Sequence, residues 1–279
     1  MFKLEDKDKE IINRALEEDI ASGDITSEMT LDDNKLMIGE FLAKDDGIIC
    51  GLYIARYIFR KLDNHTVFKS TIEDGKTVKK GDVFATVDGH VKALLEGERT
   101  ALNFMQRMSG IATTTNQYIK LIGDMNCKLL DTRKTTPVLR RFEKYAVICG
   151  GGFNHRMGLY DMIIIKDNHI KANGGIKKTL EKVFKQKINV PIEIEVKNLE
   201  ELKIALDYPL SRIMIDNFSF NMMKEAVKIT NHRIPLEASG GINIATVNSV
   251  CKTGVDCVSC GALTHSYKSL DISFNVYEK

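Results

Sequence analysis

The sequence is poor in several features, and each absence narrows the field. It has no apolar run of about 18 residues, so no membrane-spanning helix is expected. Its charges nearly cancel, with 40 Lys and Arg against 38 Asp and Glu and a formal net charge of +2. Nothing global then favours a nucleic acid or a membrane as partner, and strong anion binding has to come from local clustering. The first residues, Met1 to Lys9, are charged and lack the apolar stretch of a secretory signal. No glycine fingerprint of a dinucleotide fold follows any expected strand. There is one C-x-x-C, Cys257 to Cys260, and no second. Its first part reads as a strand, where residues three apart point to opposite faces, so a shared metal or disulfide is not expected. Cys50, Cys127, Cys149, Cys251, Cys257 and Cys260 read instead as small core residues of a reduced, cytoplasmic protein.

What is present is ordinary globular material: 279 residues, 43% hydrophobic and 28% charged. That length supports one large domain or two modest ones with a buried core. The two halves differ. Ile11, Ile12, Ala15 and Leu16 recur at helical spacing within Lys7 to Ile20. A strand-rich stretch follows, with Met37–Leu42, Gly47–Cys50, Thr66–Ser70 and Asp82–Val87 separated by turn residues. A long helix is expected from about Glu96 to Met108, with Ser109 and Gly110 as a break.

The second half alternates strand and helix. Strands are expected at Lys128–Asp131, Met162–Ile165, Ile192–Val196, Arg212–Ile215, Pro235–Ala238 and Asp256–Ser259. Asn198 with Glu201 forms a capping-box-like pair, and Ser219 and Asn243 are candidate N-caps. From Ile192 a strand begins roughly every twenty residues, the βα repeat that builds a parallel sheet. Several strands are near-continuous apolar runs, which suits coverage on both faces. With the dinucleotide fingerprint missing, a barrel is favoured over a doubly wound sheet.

Polar residues or glycines follow strand after strand. Thr132, Arg133 and Lys134 follow the first, Lys166 to His169 the second, Asp216 and Asn217 the fourth. Ser239, Gly240 and Gly241 follow the fifth, and Cys260, Gly261 and Ala262 the sixth. In a βα barrel that end of the strands holds the active site. Glu193 and Glu195 share one face of their strand. A carboxylate in an apolar strand is costly unless paired or functional, and Glu195, nearer the strand end, is favoured for chemistry. Glu193 stays undecided, and Asp216 could also simply start a turn. The two late glycine-bearing loops suit phosphate, which backbone N–H groups at helix starts can hold.

A cationic run from Arg133 to Lys171 is the strongest local feature. Arg140, Arg141 and Lys144 suit a solvated helix face. Arg133, Lys134 and Lys166 sit at strand ends instead, and His155 and Arg156 follow Gly150, Gly151 and Gly152. Several cations beside two carboxylates fit a substrate with carboxylates, phosphates and a magnesium ion held through oxygens.

These segments resemble a known family. Glu98–Asn103, Asp131–Thr135, Gly150–Arg156, Ile165–His169, Glu193–Val196, Ile215–Phe218, Ser239–Gly241 and Gly261–Ser266 are similar, in order, to the quinolinate phosphoribosyltransferases. The resemblance spans nearly the whole chain. It implies an α/β fold, an N-terminal open α/β sandwich plus an incomplete (β/α) barrel. The sandwich would occupy residues 1–110, joined by the tail 268–279, and the barrel 111–267. The implied reaction joins quinolinate and phosphoribosyl pyrophosphate, with decarboxylation, in NAD biosynthesis. Arg99 would reach the quinolinate of a neighbouring subunit in a homodimer or higher oligomer. Thr132, Arg133, Lys134, His155, Arg156 and Lys166 would bind substrate. Lys134, Glu195 and Asp216 would be catalytic, with Mg2+ on Glu195 and Asp216, directly or through water. Ser239, Gly240 and Gly241 with Cys260, Gly261 and Ala262 would hold phosphate. Two readings of another class stand beside it: a Schiff-base aldolase with Lys166 as nucleophile, and a non-catalytic phosphate sensor.

Overall fold

The computed structural model describes residues 3–32 and 34–279; Met1 and Phe2, part of the charged start, lie outside the described residues. The chain runs α1 (Asp6–Ile20), α2 (Ile25–Thr30), β1 (Leu36–Ala43), β2 (Gly47–Ile48), α3 (Leu52–Leu62), β3 (Val67–Ser70), β4 (Thr77–Val78), β5 (Val83–His90) and α4 (Val91–Ile122). It continues with β6 (Lys128–Leu130), α5 (Arg140–Cys149), β7 (Ile163–Ile165), α6 (Asp167–Ala172), α7 (Ile176–Phe184), β8 (Ile192–Val196), α8 (Leu199–Ala205) and β9 (Arg212–Asp216). It ends with α9 (Phe220–Thr230), β10 (Leu236–Ser239), α10 (Val247–Cys251), β11 (Cys257–Ser259), α11 (Ala262–His265) and β12 (Ile272–Glu278). Two compact units result: Met1–Asn116 with Arg141–Gly151 and Tyr267–Lys279, and Gln117–Arg140 with Gly152–Ser266. Among the described residues no helix is long and apolar enough to cross a membrane.

The first unit is built on an antiparallel sheet of order β12-β1-β5-β3. The C-terminal strand pairs with β1, with Phe274 opposite Phe41 and Ile272 opposite Ala43. Phe41 is fully buried, and the rings of Phe59, Phe68, Phe84 and Phe274 surround it at 4.8 to 6.2 Å. The expected break at Ser109 and Gly110 does not occur, since α4 runs on to Ile122. Packing overrides propensity there. Ser109 Oγ accepts from Cys50 N at 2.9 Å, and a Cβ at Gly110 would meet Lys268 O at 2.2 Å. The glycine is what lets the returning tail lie against the helix. The solvated face expected of Arg140, Arg141 and Lys144 is also absent. Lys144 is fully buried, and Arg141 pairs with Glu5 at 2.9 Å and Asp8 at 3.4 Å.

The second unit is a parallel sheet of order β6-β11-β10-β9-β8-β7. β6 and β7 end at opposite edges, and Phe153 bridges to Leu130 beyond β6, so the barrel stays incomplete. The strands are buried on both faces, yet they alternate in polarity. Ile192, Ile194 and Val196 of β8 share one face, and Glu193 and Glu195 the other. The same alternation puts Arg212, Met214 and Asp216 on one face of β9, and Glu237 and Ser239 on one face of β10. Glu193 and Glu237 stand on strands separated by β9, but both approach His155 Nε2. Side chains of non-neighbouring strands meet this way only if the sheet curls towards them. The polar face is therefore the inside of the barrel.

Candidate active site

The barrel interior carries its charge in two layers. Nearer the C-terminal strand ends lie Glu195 of β8, Asp216 of β9 and Ser239 of β10, with Asp216 and Ser239 in register. Glu195 is 8% exposed, and its Oε2 lies 3.1 Å from Nζ of Lys166, which follows β7. Asp216 Oδ2 accepts from Asn217 Nδ2 at 2.8 Å. The half-exposed, ion-paired Lys166 lacks the desolvated, cation-crowded surroundings a Schiff-base nucleophile needs.

Deeper along the strands lies the second layer: Glu193 and Glu237, each two residues before the outer layer, and Arg212, in register with Glu193, joined by His155. Glu193 and Glu237 are fully buried. His155 Nε2 is 3.0 Å from Glu193 and 3.4 Å from Glu237, and Arg212 Nη1 reaches Glu237 at 2.5 Å and Glu193 at 4.0 Å. Burial alone would lower the His155 pKa, but the adjacent Glu193 and Glu237 carboxylates outweigh it, and the pKa is pushed up to about 9. Burial pushes the Glu193 carboxyl up, whereas His155 and Arg212 hold Glu237 below its ordinary range against burial. The Arg156 amide makes a competing demand, because it donates to His155 Nδ1 at 2.7 Å and a charged ring has no lone pair there. Charge balance decides for the imidazolium. With both carboxylates ionised, a neutral ring would leave the buried cluster one net negative charge, which costs more than one amide hydrogen bond. The same carboxylates with His155 have the composition of a cation site, but Arg212 already supplies the cation.

The remaining cations gather around this interior. His155 N donates to Asp131 Oδ1 at 2.8 Å, just after β6, which fixes the segment that carries Arg156. Arg156 Nη1 donates to Met162 O at 2.9 Å. Burial and then the charge of Arg133 lower the Arg156 pKa, against the opposing charges of Asp161 and Glu193. Arg133 and Lys134 are exposed, and Thr132 Oγ1 accepts from Lys134 N at 3.1 Å. The Lys134 stem crosses the loop after β11, where a Cβ on Gly261 would meet its Cδ at 2.8 Å. Arg99 is exposed on α4 in the first unit.

The loop after β10 depends on glycine. Gly240 has φ +91°, and a Cβ there would meet Asn217 Oδ1 at 2.1 Å; Gly241 has φ +63°. The helix expected from Asn243 starts later, at Val247. Asn243 Oδ1 instead accepts from Ala245 N and Thr246 N, capping a turn. The helix-start argument for anion binding thus fails at this loop, and its backbone and the nearby cations carry the case. Cys260 Sγ is buried against Ile242 O, while Gly261 and Ala262 are partly exposed.

Sequence reasoning left Glu193 open, gave Asp131 and Asn217 no role, and missed Glu237 and Arg212. The signal for Glu237 was present. It stands two residues before the strand-end Ser239, as Glu193 stands two before Glu195.

Comparison with known proteins adds an independent line. The chain matches the model of the quinolinate phosphoribosyl transferase C-terminal domain over residues 111–275, and that of the N-terminal domain over 24–109. It is 43% identical to the probable nicotinate-nucleotide pyrophosphorylase (carboxylating) of Bacillus subtilis, covering 96% of this chain and 93% of that one. It is 42% identical to the mitochondrial quinolinate phosphoribosyltransferase (decarboxylating) 2b of Nicotiana tabacum, covering 96% and 82%. Among solved structures, the nicotinate-nucleotide pyrophosphorylase of Francisella tularensis superimposes with a TM-score of 0.95 at 40% identity, over 99% of this chain and 98% of that one. NadC from Streptococcus pyogenes gives 0.95 at 36%, over 100% of both.

Proposed function

This chain belongs to the quinolinate phosphoribosyltransferase family, and we propose that the second unit's interior is where it performs that family's reaction. It is a nicotinate-nucleotide pyrophosphorylase (carboxylating): phosphoribosyl passes from phosphoribosyl pyrophosphate to quinolinate, and nicotinate mononucleotide, pyrophosphate and carbon dioxide leave. The observation that best supports the site is the ion pair of Lys166 with the buried carboxylate Glu195 at the C-terminal ends of the strands. With Arg133 and Arg156, Lys166 makes a set of cations that suits a ring with two adjacent carboxylates.

The residues divide the work by chemistry. Arg133, Arg156 and Lys166 grip the two quinolinate carboxylates and hold the ring nitrogen in line with the anomeric carbon. Loss of pyrophosphate builds positive charge on the ribose, and the Glu195 and Asp216 carboxylates stabilise it. Lys134, lying across Gly261, steadies the negative charge of the leaving pyrophosphate with the loops Ser239–Gly241 and Cys260–Ala262. Once the ring nitrogen carries the ribose, its positive charge stabilises the electron pair that the breaking C–C bond leaves on the ring carbon; that carbon then takes a proton from water, so decarboxylation needs no nucleophilic side chain.

Glu195 and Asp216 are oxygen donors at neighbouring strand ends, a donor set that fits Mg2+ held partly through water. Bound there, Mg2+ would neutralise charge on the pyrophosphate; chelation is expected to abolish turnover and added Mg2+ to restore it. Arg99 is placed at the site of a second copy in a homodimer or larger assembly, and the protein works in the cytoplasm. Quinolinate labelled in its 2-carboxyl group tests the whole reading. Labelled carbon dioxide is expected only when phosphoribosyl pyrophosphate is present, and its absence would sink the assignment.

A further inference from the structure

The reaction above makes no use of Glu193, Glu237 and Arg212, although two of them are carboxylates with no exposed surface. Such a cluster is a poor device for stability alone, because well-packed apolar side chains in its place are often as stable or more so. Its geometry instead leads to one segment. His155 is tied at both ends, by its Nε2 between Glu193 and Glu237 and by its backbone N–H on Asp131 Oδ1 at 2.8 Å. The next residue is Arg156, whose guanidinium donates to Met162 O at 2.9 Å. Arg212 lies under both carboxylates and sets where they can stand.

We infer that Glu193 and Glu237 are positioning residues, which hold His155 inside the barrel and thereby fix the Arg156 guanidinium for a substrate carboxylate. They touch no substrate and act through the segment 155–156. This rests on the reading of Arg156 as part of the quinolinate grip. The consequence is selective. Loosening the anchor degrades quinolinate binding, while the phosphoribosyl pyrophosphate side, formed by Glu195, Asp216 and the loops after β10 and β11 at the strand ends, is spared. Gln at 193 or 237 keeps the shape and removes the charge that holds the imidazolium.

The test is a double-mutant cycle on the full-length enzyme with Glu193→Gln and Arg156→Lys. Glu193→Gln alone is expected to raise the KM for quinolinate about tenfold, with the KM for phosphoribosyl pyrophosphate within about twofold, the loss of roughly one charged contact. In the Arg156→Lys background the same change is expected to add less than about twofold, because both act through one contact. Additive effects, or equal losses for both substrates, would overturn the positioning role. If Glu193→Gln does not fold, the cycle with Glu237→Gln decides on the same criteria. Labelled-quinolinate turnover by the wild type separates the two ideas. A wild type that decarboxylates quinolinate while the cycle is additive overturns this inference alone; a wild type without turnover overturns the underlying reading, and the inference with it.

Discussion

Lys166 Nζ lies 3.1 Å from Glu195 Oε2, so a cation assigned to the quinolinate grip rests on a carboxylate assigned to the ribose. The two substrates are thus set by one ion pair, half open to solvent on the lysine side. Glu195→Gln removes the charge with little change of shape. The expected result is a fall in kcat of about a hundredfold, the usual cost of losing one group aimed at developing charge. The KM for quinolinate is expected to rise as well, because Lys166 loses its anchor. Steady-state assays of carbon dioxide release check both; an unchanged kcat would remove Glu195 from the chemistry.

The His155 cluster gives a pH dependence of stability. The folded pKa, about 9, is above the ordinary histidine value of about 6.5. The native state therefore binds the proton more tightly than the unfolded chain does. The contribution is fully present below about pH 6.5 and is lost as pH rises through about 9. A shift of this size is worth at most about 3 kcal/mol, reduced by the opposing Arg156 amide. Denaturant unfolding of wild type and His155→Gln between pH 6 and pH 9.5 measures it. The gap between the two is expected to narrow as pH rises; a constant gap would show that the ring is neutral throughout.

Gly240→Ala tests the loop after β10. The alanine Cβ would stand 2.1 Å from Asn217 Oδ1, at a φ that L residues rarely adopt. Asn217 also donates to Asp216, so its displacement would reach the catalytic carboxylate. A stability loss of about 1–3 kcal/mol is expected from the strained backbone. The KM for phosphoribosyl pyrophosphate is expected to rise more than that for quinolinate. Equal changes in both would argue that the loop does not hold phosphate.

How much of this was legible in the sequence follows from the range of each cause. The βα repeat and the polar strand ends are local patterns, and they located Glu195, Asp216, Ser239 and Lys166 without coordinates. The α4 helix past Gly110 and the burial of Lys144 were not legible, because both depend on remote segments packing against them. The inner layer was half legible. Glu193 and Glu237 stand out as charges in buried strands, but their meeting on His155 depends on the curl of the sheet. That curl is long-range, and no window of sequence contains it.

Arg99 gives the last prediction. It is exposed on α4, although the resemblance assigns it to a substrate carboxylate. An exposed arginine with that duty implies a site completed by another copy. Arg99→Ala and Lys134→Ala variants are each expected to be nearly inactive, for different reasons. Mixed and allowed to exchange subunits, they form hybrid dimers in which one site combines the intact Lys134 of one chain with the intact Arg99 of the other. Random pairing makes about half of the dimers hybrid, so activity is expected to return to about a quarter of wild type. Size-exclusion chromatography with light scattering shows whether the copies associate at all. Activity that stays at the level of the separate variants, in a mixture shown to have exchanged, would place Arg99 outside the shared site.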